Sequence, residues 1–122
     1  MEKISFIVER LNQRPFNKGI TTLSEFDSKT PFELMELICD VVVSIDPEQE
    51  PIRGESTDNK IQRLMHFLTV MKFGIPEDQI DSFHNFLLSG DKETLHTVIH
   101  WCLFRYDHLK KRAYLAKYLM PV

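Results

Sequence analysis

Apolar positions along this chain fall at helical spacing in nearly every segment long enough to judge. Ile4, Ile7, Val8 and Leu11 stand at i, i+3, i+4, i+7 and Phe6 widens the face, so a helix is expected over about 3–13, stopped by Pro15. Phe16 to Gly19 reads as a turn, and Leu23 and Phe26 as a short apolar plug. Thr30-Pro31-Phe32-Glu33 is a helix start, with a capping threonine, proline at the first helical position and a capping-box glutamate. The helix it opens runs to about Ser44. With Phe32, Leu34, Met35, Leu37, Ile38, Val41, Val42 and Ile45 it is apolar on most sides, leaving Glu33, Glu36 and Asp40 on a wet edge.

Residues 46–58, with two prolines, a glycine and several acids, read as a connector with room for a short helical turn. Helical period resumes near Lys60 through Ile61, Leu64, Met65, Leu68 and Met71, and ends at Gly74 and Pro76. A further helix opens at Pro76-Glu77-Asp78, presents Ile80, Phe83, Phe86 and Leu87, and closes at Gly90. Asp91 caps the next, the most apolar of the chain, with Leu95, Val98, Ile99, Trp101, Cys102 and Leu103. After a break near Tyr106-Asp107, a last helix over about 108–119 carries an apolar row of Leu109, Ala113, Ala116 and Met120. Lys110 and Lys117 share one of its faces, with Lys111 beside them. The fold class is therefore all-α, a compact bundle of about six helices. No stretch sustains heptads, so this piece is not itself a coiled coil.

The 122 residues fit one core, and 43% hydrophobic with 27% charged residues is ordinary globular composition. No apolar run approaches the roughly 20 residues of a membrane span, so no membrane partner is expected. The opening MEKISFIVERL carries charges where an apolar leader would have none. Cys39 and Cys102 lie inside apolar runs and read as reduced core residues of a cytosolic protein, with a disulfide as the alternative. The net charge of −3 hides an asymmetry. Residues 30–58 hold one basic and eight acidic groups, whereas residues 105–122 hold five basic and one acidic. Either both are solvated faces, or the basic end is a local patch for an acidic partner.

Little else in the chain carries chemistry. The four glycines are isolated and form no phosphate loop. His96 and His100 have the i, i+4 spacing that can hold a metal, but the residues between them are Thr97, Val98 and Ile99, without the glutamate of a zinc-protease helix. The expectation is that one histidine is exposed and the other makes a core hydrogen bond. Cys102 has no evident base. No enzyme and no cofactor are expected. The candidate site is the basic end, Lys110, Lys111 and Arg112, joined by Lys72 if the fold brings it near. Nothing global points to nucleic acid.

The segments KISFIVERLNQRPF, FDSKTPFELMELICDV and SIDP, and above all HW-x-L-x-R followed by LKKRAYLAKYL, resemble the N-terminal calponin-homology domain of the intraflagellar transport 81 family, over nearly the whole chain. The resemblance implies a calponin-homology-like bundle, one domain over 1–122 preceding a long coiled coil. It also implies a non-enzymatic role in the cilium or flagellum, at its basal body and in the cytoskeleton and cytoplasm. The implied partners are αβ-tubulin, whose globular part such domains bind, and intraflagellar transport protein 74, whose basic tail engages the acidic tubulin tail. Matching by motif makes Lys72, Lys92, Lys110, Lys111 and Arg112 the tubulin-facing residues. Two positions depart from the family pattern: Gly74 stands where a second basic residue is expected, and His84 where an arginine is usual.

Two readings follow. In the first, the chain is a tubulin-binding module, which requires Lys72, Lys92 and the Lys110–Arg112 run to share a face. In the second, it is a structural or protein-interaction domain capping the coiled coil, with little tubulin affinity of its own.

Overall fold

The computed structural model describes residues 2–118, with side chains through 116. Lys117 as a face residue and Leu119 and Met120 of the expected last helix thus lie outside the described residues. The described residues form seven α-helices: α1 (Glu2–Asn12), α2 (Leu23–Asp27), α3 (Pro31–Ile45), α4 (Thr57–Val70), α5 (Ile80–Ser89), α6 (Lys92–Phe104) and α7 (Tyr106–Tyr118). Short 3₁₀ segments occupy Pro47–Gly54 and Glu77–Gln79. Among the described residues there is no strand.

Local chemistry starts most of these elements where the residue pattern places them. The Thr30 hydroxyl accepts from the Glu33 N–H while the Glu33 carboxylate accepts from the Thr30 N–H, a complete capping box. Asp91 caps α6 by accepting from the Thr94 N–H. Two starts come earlier than the periodicity indicates. Ser56 accepts from the Asn59 N–H, so α4 begins at Thr57, three residues before Lys60. The break before α7 is Arg105 alone, and Tyr106 already begins the helix. The connector holds more than a turn: Asp46 accepts from the Glu48 N–H, and the 3₁₀ segment buries Ile52.

The centre of the bundle is α3 against α6. Leu34, Ile38, Val41, Val42 and Ile45 of α3 and Leu95, Val98, Ile99, Cys102 and Leu103 of α6 are all buried in one core. Transfer of such side chains from water, at about 25 cal/mol per Å² of apolar area, is the main force assembling the bundle. α1 lies along α6 in the same direction, since Lys3 reaches Thr97 while Phe6 packs on His100 and Phe104. α7 crosses back to α3, tied by the bond between the Ser44 and Tyr106 hydroxyls. α4 packs on α5 and on the 3₁₀ segment.

Two expectations about burial are corrected. Phe32, in the first turn of α3, is 70% exposed, while Leu34 and Met35 just after it are buried. The apolar face of α5 is only partly used: Leu87 is buried, but Ile80 and Phe86 are 40% and 51% exposed, since no described element lies over that side.

α4 and α5 end in the same way. In both, an N–H just past the helix bonds to the carbonyl five residues back and the N–H before it to the carbonyl three back, a Schellman motif: Phe73 to Leu68 and Lys72 to Thr69 in one, Asp91 to Phe86 and Gly90 to Leu87 in the other. The motif requires a left-handed residue, and α5 supplies Gly90 at φ +76. A Cβ there would also stand 2.8 Å from the Pro31 Cβ. Gly90→Ala should therefore destabilise by about 1–3 kcal/mol and lower the melting temperature by roughly 5–10 °C in circular dichroism. An unchanged melting temperature would refute this account of the α5–α6 corner.

Candidate functional site

At the end of α4 the left-handed residue is Lys72, at φ +67. An L side chain there costs on the order of 1 kcal/mol relative to glycine. The corner is held by its neighbours. Phe73 packs edge-on against Trp101 with centroids 4.9 Å apart, and against Phe83 at 5.6 Å. Lys72 is left exposed and takes part in none of the ion pairs among the described residues.

The basic run of α7 stands beside this corner. Leu109 and Ala113 are buried, so they define the inner face. At about 100° per residue, Lys111 then points outward, and Lys110 and Arg112 flank it on opposite sides. Contacts agree with this arrangement. The Arg112 Nε donates to the Val70 carbonyl at 3.4 Å, which joins α7 to the end of α4, two residues before Lys72. The Lys110 ammonium instead lies 5.5 Å from the Tyr106 ring centroid. The Arg10 guanidinium lies 4.8 Å from the same ring. Arg10 is a residue that sequence reasoning passed over. In the last turn of α1 it reads only as a favourable dipole partner, and only the fold brings it to the Tyr106 ring that Lys110 also meets.

Lys92 is not brought to this surface. It opens α6 at the far end from Trp101, nine residues and about 13 Å along the helix. Its ammonium donates to the Asp27 carbonyl at 3.0 Å, in a cleft shared with Lys3, Asp91, Glu93 and His96. Of the five expected residues, Lys72 and Arg112 adjoin, Lys111 points out beside them, Lys110 turns toward the Tyr106 ring, and Lys92 stands apart. Gly74 lies in the loop after Phe73, and His84 is half-buried on α5.

The acidic stretch has a different fate. Every ion pair among the described residues draws its carboxylate from residues 36–55. Asp40 takes Lys18 and Arg53, Glu50 takes Arg53, Glu36 takes the buried Lys60, and Glu55 takes Arg63. Burial alone would raise the Asp40 carboxyl, but hydrogen bonds from Arg53 and Lys18 outweigh it and hold the group below the usual carboxylate range. Four acids of this stretch are thus answered by cations from the loop after α1, the 3₁₀ segment and α4. Lys72 and Lys111 are exposed and enter no ion pair among the described residues.

The two histidines part company. His96 is 7% exposed and packs at a tilt on Phe26, centroids 5.0 Å apart, and its Nε2 is buried without a hydrogen-bond partner among the described residues. His100 is half-buried between Phe6 and Phe104. The expectation of one exposed ring and one core hydrogen bond is therefore corrected, because aromatic neighbours rather than polar ones receive both. No group of three or more His, Cys, Asp or Glu among the described residues is placed to hold a metal ion. Burial pushes the Cys102 thiol up to about 12, far from a usable thiolate.

Residues 2–122 match the family profile of the intraflagellar transport 81 calponin homology domain. The chain is 38% identical over 124 residues to the intraflagellar transport protein 81 homolog of Rattus norvegicus, covering 99% of this chain and 18% of that protein. It is 32% identical over 121 residues to intraflagellar transport protein 81 of Chlamydomonas reinhardtii, covering 98% and 18%. It thus spans about a fifth of the length of these relatives. The fold is also that of a chain in the T. brucei IFT22/74/81 GTP-bound crystal structure, at a TM-score of 0.80 and 24% identity, covering 99% of this chain and 27% of that one.

The environment of His96 has a consequence for stability. Burial lowers its pKa from 6.5; Asp27 opposes that, and Lys92 and Lys3 reinforce it. The unfolded chain therefore takes up this proton first, and stability falls as pH drops below about 6.5. His96→Leu should flatten that acid slope in denaturant titrations between pH 5 and 7, and raise stability at pH 7 by about 1 kcal/mol by removing the unpartnered nitrogen. An unchanged slope would show that His96 does not set it.

Proposed function

The chain belongs to the intraflagellar transport 81 calponin homology domain family, and from that premise we propose that it is a non-enzymatic module by which the transport train of the cilium or flagellum holds αβ-tubulin as cargo. The carrying observation is the segregation of charge. Glu36, Asp40, Glu50 and Glu55 are answered within the fold, while Lys72, Lys111 and Arg112 enter no ion pair among the described residues, and Lys110 and Arg10 both lie over the Tyr106 ring. A net charge of −3 is thus compatible with a cationic surface facing an acidic protein. Lys92 is not part of this surface. In this reading the chain is one domain, continues into a coiled coil, and works beside intraflagellar transport protein 74. The grouping of 22, 74 and 81 in the name of the T. brucei structure supports that partnership.

The placement of Lys92, together with Gly74 and His84 in place of cations, favours a second reading, a structural cap with little tubulin affinity. One experiment separates them. The domain is titrated with unpolymerised αβ-tubulin at low and physiological salt, beside a folded Lys110→Glu, Lys111→Glu, Arg112→Glu variant. The cargo reading expects binding that weakens with salt and falls roughly tenfold or more in the variant. Absence of binding at low salt, or equal binding by the variant, supports the cap instead.

A further inference from the structure

The corner that exposes Lys72 also bounds an apolar groove. On one side of the Phe73–Ile75 strip is a hollow of about 270 Å³ lined by Met65, Leu68, Lys72 and Ile80. On the other is one of about 470 Å³ lined by Pro76, Ser82, Phe83, Phe86 and Thr97. Each also takes Phe73, Gly74 and Ile75 as wall, and Gly74 brings no side chain between them. The larger lies within the roughly 300–1,000 Å³ of ordinary binding clefts. Ile80 and Phe86 spend apolar surface on water here, although a helix face of this composition is normally covered. Among the described side chains lining either hollow, Lys72 carries the only charge, and Arg112 is tethered next to it through the Val70 carbonyl.

We propose that this groove receives an apolar side chain from a segment of the acidic partner protein, in which a carboxylate one helical turn away meets Lys72 and Arg112. The occupant follows from the charge pattern. An apolar trough whose one charged lining residue is Lys72, with Arg112 next to it, selects an apolar residue beside an acid, and rejects both a basic segment and a purely polar tail. The contact is then two-part. Cations steer the encounter and set its salt dependence, while Phe73, Phe83 and Phe86 supply the desolvated anchor that electrostatics over an exposed surface does not. The inference rests on the preceding reading for the identity of the partner, but its geometry does not.

Phe86 is exposed enough for Phe86→Ser to leave the fold intact, which thermal unfolding checks. With αβ-tubulin, this variant should bind about five- to tenfold more weakly while the slope of affinity against salt stays that of the parent. Lys72→Met should lower both affinity and slope. Independently of tubulin, a blocked helical peptide with leucine and phenylalanine one turn apart among glutamates should give saturable amide shifts at Phe73, Gly74, Ile75, Phe83 and Phe86 in ¹⁵N spectra, lost in Phe86→Ser. Peptide shifts without tubulin binding would sink the cargo reading and keep the groove. Tubulin binding indifferent to Phe86→Ser, or a peptide that shifts none of these amides, would overturn the groove and leave the cargo reading standing. Concentration-dependent dimerisation abolished by Phe86→Ser would overturn it too, in favour of a second copy as occupant.

Discussion

Burial of α6 is the constraint on which the rest depends. Pressed between α3 and α1, it leaves one half-buried edge, where Trp101 stands. Phe73 lies edge-on against that indole, and through it the end of α4 is fixed to the core. At the other end of α6, Tyr106 is buried and bonded to Ser44, which sets the direction in which α7 leaves. Both groups of exposed cations are therefore positioned by the same apolar helix, though neither contributes to its burial.

Exposed lysines usually stand where nothing else is demanded of the backbone. Lys72 does not. It occupies the left-handed position of a Schellman motif for which the same chain uses Gly90 eighteen residues later. The fold would be easier to make with glycine there. A strained lysine with no ion pair among the described residues, at the edge of an apolar groove and next to Arg112, makes sense as a group kept for a partner rather than for the bundle. The acidic stretch shows the converse, since its carboxylates work inside the fold and Asp40 joins three elements through Lys18 and Arg53.

Features written in local chemistry were legible in the sequence. The capping box at Thr30, the cap at Asp91 and the closing Gly90 depend on residues within one turn of each other, and the helical periods made the all-α class plain. The start of α7 was not legible, because Tyr106 is held by a tertiary bond to Ser44 rather than by a cap. Nor was the exposure of Phe86 and Ile80, since periodicity marks an apolar face but not whether anything covers it. Of the candidate site, the run on α7 was visible as composition. The distance of Lys92 from it, the placement of Arg10 and Lys110 over one Tyr106 ring and the backbone of Lys72 are properties of the assembled fold. A lysine at a helix end gives no sign of positive φ when glycine is the usual signal.

The most direct test of the central claim is a paired measurement on Lys72→Gly, its unfolding free energy and its affinity for αβ-tubulin at low salt. If the strained lysine is kept for an acidic partner, the variant gains up to about 1 kcal/mol of stability and binds tubulin more weakly. A variant that gains stability and binds as well as the parent would contradict the claim, and Lys72 would then be a strained residue without a use at this surface.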